Sequence, residues 1–453
     1  MYTPDSLAHS DVAYQFHSYT NAQRLREEGP CIMARGDGIY VYDTDGRQYI
    51  EAMAGLWSVA LGFSEPRLAQ VAYEQMQNLP FYHTFSQKSN IPSIELAEKL
   101  IGLTQGRMAQ AFFTNSGSEA NDTIVKMVWY YNNALGRTQK KKIIARQRGY
   151  HGVTVASASL TGLPGNHRSF DLPLPRMLHV SCPHWYREGL PGETEAAFGD
   201  RLAAELEALI LREGPDTVAA FIGEPVMGAG GVVVPPEHYW PKMQAVCRKY
   251  DVLVIADEVI TGFGRTGHLF ASELFGIEPD FMTLSKQLTS SYQPLAAVLM
   301  NERVASVLVR HSGELGSFGH GYTASGHPVA AAVALENIRI IEERQLVAHA
   351  AEVGAVLQQR LRALADHPLV GEVRGVGLIA AVELVADKAT RQTFDPVGKA
   401  GALAARQAQS HGLILRGIQD TLAFCPPLII TAQQVHALAD RFEQALEDVT
   451  RAL

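Results

Sequence analysis

Residues 251–267 read DVLVIADEVITGFGRTG. Val252, Leu253, Val254, Ile255 and Ala256 form an unbroken apolar run closed by Asp257 and Glu258. A short run of this kind, without polar alternation, suits a strand covered on both faces. In open α/β sheets, ligands bind beyond the carboxyl ends of the strands. Asp257 is therefore placed to face one. A carboxylate there can hold a cation such as a protonated ring nitrogen, cap the next turn, or ligate a metal. For a cation at about 4 Å and an effective dielectric near 20, the attraction is roughly 4 kcal/mol. That would raise the partner's pKa by about three units.

Similar runs recur on either side of this one. AQAFFTNSGS (109–118), KKIIARQRGYHG (141–152), TVAAFIGEP (217–225) and DFMTLSKQLTS (280–290) alternate with helical patterns between about residues 95 and 300. This alternation predicts an α/β fold: a mainly parallel sheet with helices on both faces. After about residue 326 the texture becomes α+β. Amphipathic patterns at PVAAAVALENIRIIEERQ and AEVGAVLQQRLRALADH precede short strand-like segments, and TAQQ from Thr431 resembles a capping box. IYVYDTDGRQYIEA (39–52) signals a hairpin turning at Asp45-Gly46, which can join that second unit. Residues 1–30 show no clean period. The expected organisation is an N-terminal segment 1–56 joining a small domain, a large domain 57–325, and a C-terminal small domain 326–453.

Bulk properties narrow the function. A chain of 453 residues holds about two or three domains. A net charge of −8, with no long basic run, argues against a nucleic-acid partner. No apolar stretch approaches the roughly 18 residues of a membrane span. Cys31, Cys182, Cys247 and Cys425 are scattered without a C-x-x-C pair, which argues against a zinc site or a disulfide framework. The opening MYTPDSLAHSDV carries acids and lacks an apolar core, so it does not read as a signal peptide. A cytoplasmic location is expected.

Two further signals belong with Asp257. Lys286 lies 29 residues later, within an apolar and small-residue stretch. Desolvation lowers a lysine's pKa and makes it a nucleophile able to form a Schiff base. TNSGSEANDTIVKMVWYY (114–131) marks a strand-to-helix transition, with Ser116 and Glu119 spaced as a capping box and Gly117 allowing close backbone approach. Its free N–H groups and the Ser118 hydroxyl form an anion site. Each signal alone is weak, since most lysines are surface residues and caps are common. Together they supply an amine for an aldehyde, a partner for a ring nitrogen and a phosphate cradle. Pyridoxal 5′-phosphate (PLP) needs all three.

With FFTNSGSEAND, RGYHG, GEPVMGAGGVVVPP, LVIADEVITGFGRTG, LSKQLTSSYQPLAAV and HGYTASGHPVA in place, the chain resembles the class III, fold type I PLP-dependent aminotransferases, most closely the ω-amine:pyruvate branch. The resemblance covers the chain from the Trp57 region to Arg416. It implies a large domain with a mainly parallel sheet and a smaller α+β domain drawn from both chain ends. Lys286 would form the Schiff base and Asp257 would hold the ring nitrogen. Ser116, Gly117 and Ser118 would cradle the phosphate. Tyr150 and Val259 would pack on the two ring faces, and Glu224 would contribute to the cofactor site. Thr323 would reach the phosphate in the neighbouring subunit, making a homodimer; pairing of dimers into a tetramer stays open. Trp57, Tyr19, Phe85, Tyr150 and Arg416 would line the substrate pocket, with Arg416 swinging in to bind a keto acid's carboxylate. His151 is read as a structural neighbour of Tyr150, and Arg265 as structural. Gln287 departs from the Gly or Ala frequent at its position, and Ser291 from a frequent Gly.

The implied activity is a ping-pong transfer from a primary amine (a polyamine, an arylalkyl amine or a β-amino acid) to an α-keto acid, pyruvate in the first place. No metal is called for. An aminomutase or decarboxylase on the same fold shares Lys286 and Asp257 and is the alternative.

Overall fold

The computed structural model describes residues 6–453; the first five residues of the opening acidic stretch lie outside it. Seven strands build the large sheet: β1 (Gln110–Thr114), β2 (Lys142–Arg146), β3 (Met177–Val180), β4 (Val218–Gly223), β5 (Leu253–Asp257), β6 (Phe281–Leu284) and β7 (Ala296–Met300). Their order is β1-β7-β6-β5-β4-β2-β3. The pairs β2/β3, β2/β4, β4/β5 and β5/β6 are parallel, whereas β7 runs antiparallel to both β6 and β1. The sheet is thus mainly parallel, as expected. The apolar-run reading did not separate β3 or β7. β3 has only two of its four residues buried, and β7 follows the lysine turn without a long connection.

Side-chain parity in β5 explains the layering. Leu253 and Ile255 point to the face packed by Ile124, Val125 and Val128 of the helix Gly117–Ala134. Val252, Val254 and Ala256 point to the other face, against Phe198, Leu202 and Leu206 of the helix Glu195–Glu213 and Trp240 and Met243 of the helix Tyr239–Lys249. Since successive strand residues alternate faces, Asp257 shares the face of Leu253 and Ile255, and Glu258 takes the other.

Two smaller sheets complete the chain. The expected hairpin Tyr40–Asp43/Gln48–Glu51 forms, with Val41 opposite Tyr49. Its second strand pairs in parallel with Leu413–Ile414, so residues from both chain ends share one sheet. The other sheet is antiparallel: Val370–Val376, Ile379–Leu384, Thr421–Phe424 and Arg416–Ile418. The last helix, Ala432–Ala452, starts with the capping box at Thr431 and Gln434. Residues 6–30 contain two helices that lack an apolar period, Leu7–Tyr14 and Ala22–Glu28. Ser6 and Asn21 cap them, and neither helix buries a residue. Capping rather than an apolar stripe therefore marks them. Among the described residues no helix is long and apolar enough to cross a membrane.

Candidate active site

Parallel pairing places Asp257 beside Thr283 in β6, and Lys286 follows Thr283 by three residues. Both side chains reach a cavity of about 410 Å³ at the carboxyl edge of the sheet. Ser116, Gly117, Ser118, Tyr150, Glu224 and Val259 line the same cavity. The structure thus brings together eight of the residues singled out from the sequence.

Lys286 sits in left-handed backbone, with φ of 46°. A side chain there costs roughly 1–3 kcal/mol, so the surroundings must hold it. Gln287 is the main anchor. Its amide nitrogen donates to the carbonyls of Ile260 and Gly262, both at 2.9 Å, and its amide oxygen accepts from Arg265 at 3.2 Å. Asn337 donates to the Gln287 carbonyl at 2.8 Å. The departure from Gly or Ala therefore pins the lysine turn. Arg265 is structural as read: fully buried, it donates to the carbonyls of Leu378 and Pro426 and ties this turn to the antiparallel sheet. Burial pulls the Lys286 amine below the usual lysine range, while Asp257 and Glu224 oppose the shift. A readily neutral amine follows.

Asp257 is 3% exposed. Burial pushes its carboxyl up, but its partners outweigh this and hold it below the usual range. His151 Nδ1 lies 2.8 Å from Oδ2, Asn121 donates to Oδ2 at 2.9 Å, and the Val259 N–H donates to Oδ1 at 3.2 Å. His151 is therefore more than a neighbour of Tyr150: it orients the aspartate. Glu258 has no part in the cavity. On the opposite face, its carboxylate accepts from Ser272 (2.6 Å) and Ala271 (3.1 Å) at the start of a short helix.

The anion cradle differs in detail from a reciprocal capping box. Ser116 Oγ accepts the Glu119 N–H at 3.2 Å, but Glu119 reaches back to the N–H of Asn115, at 2.7 Å, rather than to that of Ser116. Ser118 Oγ accepts the Val153 N–H at 3.1 Å, which leaves its own proton free to donate. Space is tight by necessity. A Cβ on Gly152, at φ of 133°, would lie 2.6 Å from Ser118 Oγ, and one on Gly117 would lie 3.2 Å from Val259 Cγ2.

Glu224 is buried and accepts from the N–H groups of Tyr150 (3.0 Å) and Gly228 (2.9 Å); burial raises its pKa. It forms no ion pair with an arginine side chain among the described residues. Tyr150 is half-buried, with its phenol pushed up first by burial and then by Tyr19. Arg416 is half-buried, close enough to both tyrosines to interact, and without a carboxylate partner among the described residues; burial lowers its pKa.

Other residues stand apart from the cavity lining. Trp57 is 2% exposed and packs with Met53, Val226, Val232 and Ile260, of which Ile260 lines the cavity. Tyr19 is exposed, its hydroxyl accepting from Asn166. Phe85 is exposed beside Gly321, and Thr323 is exposed two residues further on. Asn121 and Gly152 are site residues that the sequence reading missed. Asn121 had a signal: it is a polar residue one turn after Gly117, on the apolar face completed by Ile124, Val125 and Val128.

The donor set fits PLP. A deprotonatable lysine, an ionised buried aspartate with a fixed orientation, and a cradle at a helix N-terminus kept open by Gly117 and Gly152 converge on one cavity.

The comparisons agree. A model of the family "Aminotransferase class-III" matches residues 22–446. Gamma aminobutyrate transaminase 1, mitochondrial, of Solanum lycopersicum is 50% identical over 434 residues, covering 96% of this chain and 84% of that protein. The omega transaminase of Pseudomonas jessenii, solved in complex with pyridoxamine phosphate (PMP), is 62% identical with a TM-score of 0.98, covering 98% of both chains. A thermostable variant of that enzyme, substituted at a tryptophan, a phenylalanine and an arginine and engineered for asymmetric synthesis of enantiopure bulky amines, has the same identity and TM-score over 98% of this chain and 99% of that one. Fold, cavity and relatives lead to one conclusion: the chain belongs to the class-III aminotransferases, fold type I enzymes that use PLP.

Proposed function

We propose that this aminotransferase is an ω-transaminase, moving the amino group of a primary amine to pyruvate in two half-reactions at one site. The observation that carries the reading is the company of Lys286: a desolvated amine sharing a cavity with the oriented carboxylate of Asp257, with an unpaired guanidinium, Arg416, near Tyr150. Bound PLP supplies an electron sink for the pair left when a proton leaves the substrate carbon. Lys286 would hold PLP covalently between turnovers, then take that proton through Nζ and return it on the cofactor side. Asp257 would keep the ring nitrogen protonated, and Ser116–Ser118 would bind the phosphate.

The two half-reactions need opposite surroundings for the substrate's far end. Arg416 suits a keto acid's carboxylate through its planar fork, and having no ion pair among the described residues leaves it able to withdraw for an apolar tail. The 62% identity to an omega transaminase supports amine donors without a carboxylate, and the engineered variant supports Trp57, Phe85 and Arg416 as substrate-facing residues. The γ-aminobutyrate transaminase relatives support a second donor class, ω-amino acids. Thr323 and Phe85, exposed and away from the cavity lining of their own chain, are suited to reach the site of a second copy in a homodimer.

Lys286→Ala is expected to abolish the visible absorbance of the loaded enzyme and nearly all turnover. Full activity in that variant would refute the assignment. A donor panel against pyruvate, read as alanine formed and aldehyde or ketone released, separates amines from ω-amino acids. It also separates transamination from mutase or decarboxylase chemistry, which forms no alanine.

A further inference from the structure

The turn that carries Trp57 is held by a buried acid with no role in the chemistry so far described. Glu51 ends the second strand of the N-terminal hairpin and is 4% exposed. Its carboxylate accepts the Gly55 N–H at 2.5 Å, and the Met53 N–H also donates to it. No cation pairs with it among the described residues. The backbone it grips is strained at two non-glycine residues: Ala54 and Trp57 have φ of 49° and 67°. Two such residues in one turn need an external hold. Trp57 in turn belongs to the same buried apolar cluster as Ile260, a lining residue of the Lys286 cavity. The strand of Glu51 also pairs with Leu413–Ile414, two residues before Arg416.

We propose that Glu51 is a positioning residue for the substrate side of the site: its carboxylate fixes the Met53–Trp57 turn and so sets how tightly the non-reacting group of the amine donor is held. This rests on the transaminase reading of the cavity and adds a determinant of donor selectivity to it.

The groups around Glu51 leave its charge uncompensated. Residues 53–58 contain no titratable side chain, and neither does Leu413–Ile414. The neighbouring hairpin strand offers Tyr40, opposite Ile50 in the register. Cys425, just after Thr421–Phe424, is the thiol within electrostatic reach, and Arg265 and Lys286 act on that thiol as well. Burial accordingly pushes the Glu51 carboxyl up to about 7. Ionised, it accepts both N–H groups strongly; protonated, it loses much of that hold.

The test compares a bulky arylalkyl amine with alanine as donors to the holoenzyme. Their kcat/KM ratio cancels ionisations common to both, Lys286 among them. Between roughly pH 5.5 and 8.5 the ratio should fall several-fold on the acid side, with an inflection near neutrality. Glu51→Gln should raise KM for the bulky donor by about tenfold, leave kcat with alanine within about twofold, and remove the inflection. Glu51→Asp should keep the inflection and show the same split. The intrinsic tryptophan fluorescence of the cofactor-free protein should titrate with the same midpoint, and this component should vanish in Glu51→Gln. A flat ratio in the wild type, or fluorescence without that midpoint, overturns the role of Glu51. Absence of turnover with every amine refutes the transaminase reading instead, and the fluorescence titration still decides whether Glu51 holds the turn.

Discussion

Replacing Glu383 with Gln should destabilise the protein through a charge network remote from the chemistry. Glu383, in the strand Ile379–Leu384, is 6% exposed. It accepts from Arg187 Nε at 2.5 Å and from Arg374 Nη1 at 2.6 Å. Arg374 also bonds Glu372 and donates to the carbonyls of Gly231 and Val232, and Glu372 receives His184 at 2.8 Å. Burial alone would raise the Glu383 pKa, but Arg374, His184 and Arg187 outweigh it and lower it from 4.5 to about 2. At 1.36 kcal/mol per pKa unit, that difference is worth about 3 kcal/mol. The sign is that of a depressed carboxylate: the stabilisation is complete above roughly pH 4.5 and is lost as pH falls toward about 2. Glu383→Gln forfeits it and leaves the buried Arg374 and the half-buried Arg187 short of negative charge; breaking a fully buried pair costs about 3–5 kcal/mol. With an unfolding entropy of roughly 2 cal/mol/K per residue over the 453 residues, 3 kcal/mol corresponds to a Tm drop of about 3 °C. Differential scanning calorimetry of the holoenzyme near neutral pH measures this, and repetition below about pH 4 should narrow the gap. The double variant Arg374→Met/Glu383→Leu removes charges of both signs and should lose less than the single one. An unchanged Tm for Glu383→Gln near neutrality, or a gap that widens on acidification, would refute the reasoning. Although His184, Glu372 and Glu383 offer donor atoms within 4.8 Å of one another, Arg374 already spans the two carboxylates, so added zinc should not raise Tm.

Two further outcomes follow from the site itself. Arg416→Ala should raise KM for pyruvate by at least about tenfold while changing use of an aliphatic aldehyde acceptor much less; equal losses would remove the arginine from carboxylate recognition. Gly152→Ala places a methyl group 2.6 Å from Ser118 Oγ, so the cradle must shift, and cofactor affinity measured by reconstitution of the apoenzyme should fall by roughly tenfold or more.

Legibility in the sequence followed the range of the interaction. The strand Leu253–Asp257 could be read because burial on both faces demands an unbroken apolar run, and strand geometry then places the terminal carboxylate at the sheet edge. Lys286 and the Ser116–Ser118 turn could be read for the same local reason, as could the hairpin at Asp45-Gly46 and the cap at Thr431. His151 and Asn121 were not legible as partners of Asp257. They lie 106 and 136 residues away along the chain; the loop after β2 brings His151, and the packing of the helix Gly117–Ala134 over β5 brings Asn121, within 3 Å.

Periodicity and spacing thus determined five of the seven strands of the sheet and marked the lysine, the aspartate and the anion cradle as candidates, whose roles the family resemblance then implied, because each expresses a preference of a few consecutive residues. Tertiary structure decided how those groups behave. The pKa of Lys286 and the orientation of Asp257 depend on desolvation and on hydrogen bonds from distant segments. So does the hold of Gln287 on the lysine turn and of Glu51 on the turn of Trp57. These are sums over neighbours in space, which no local pattern encodes.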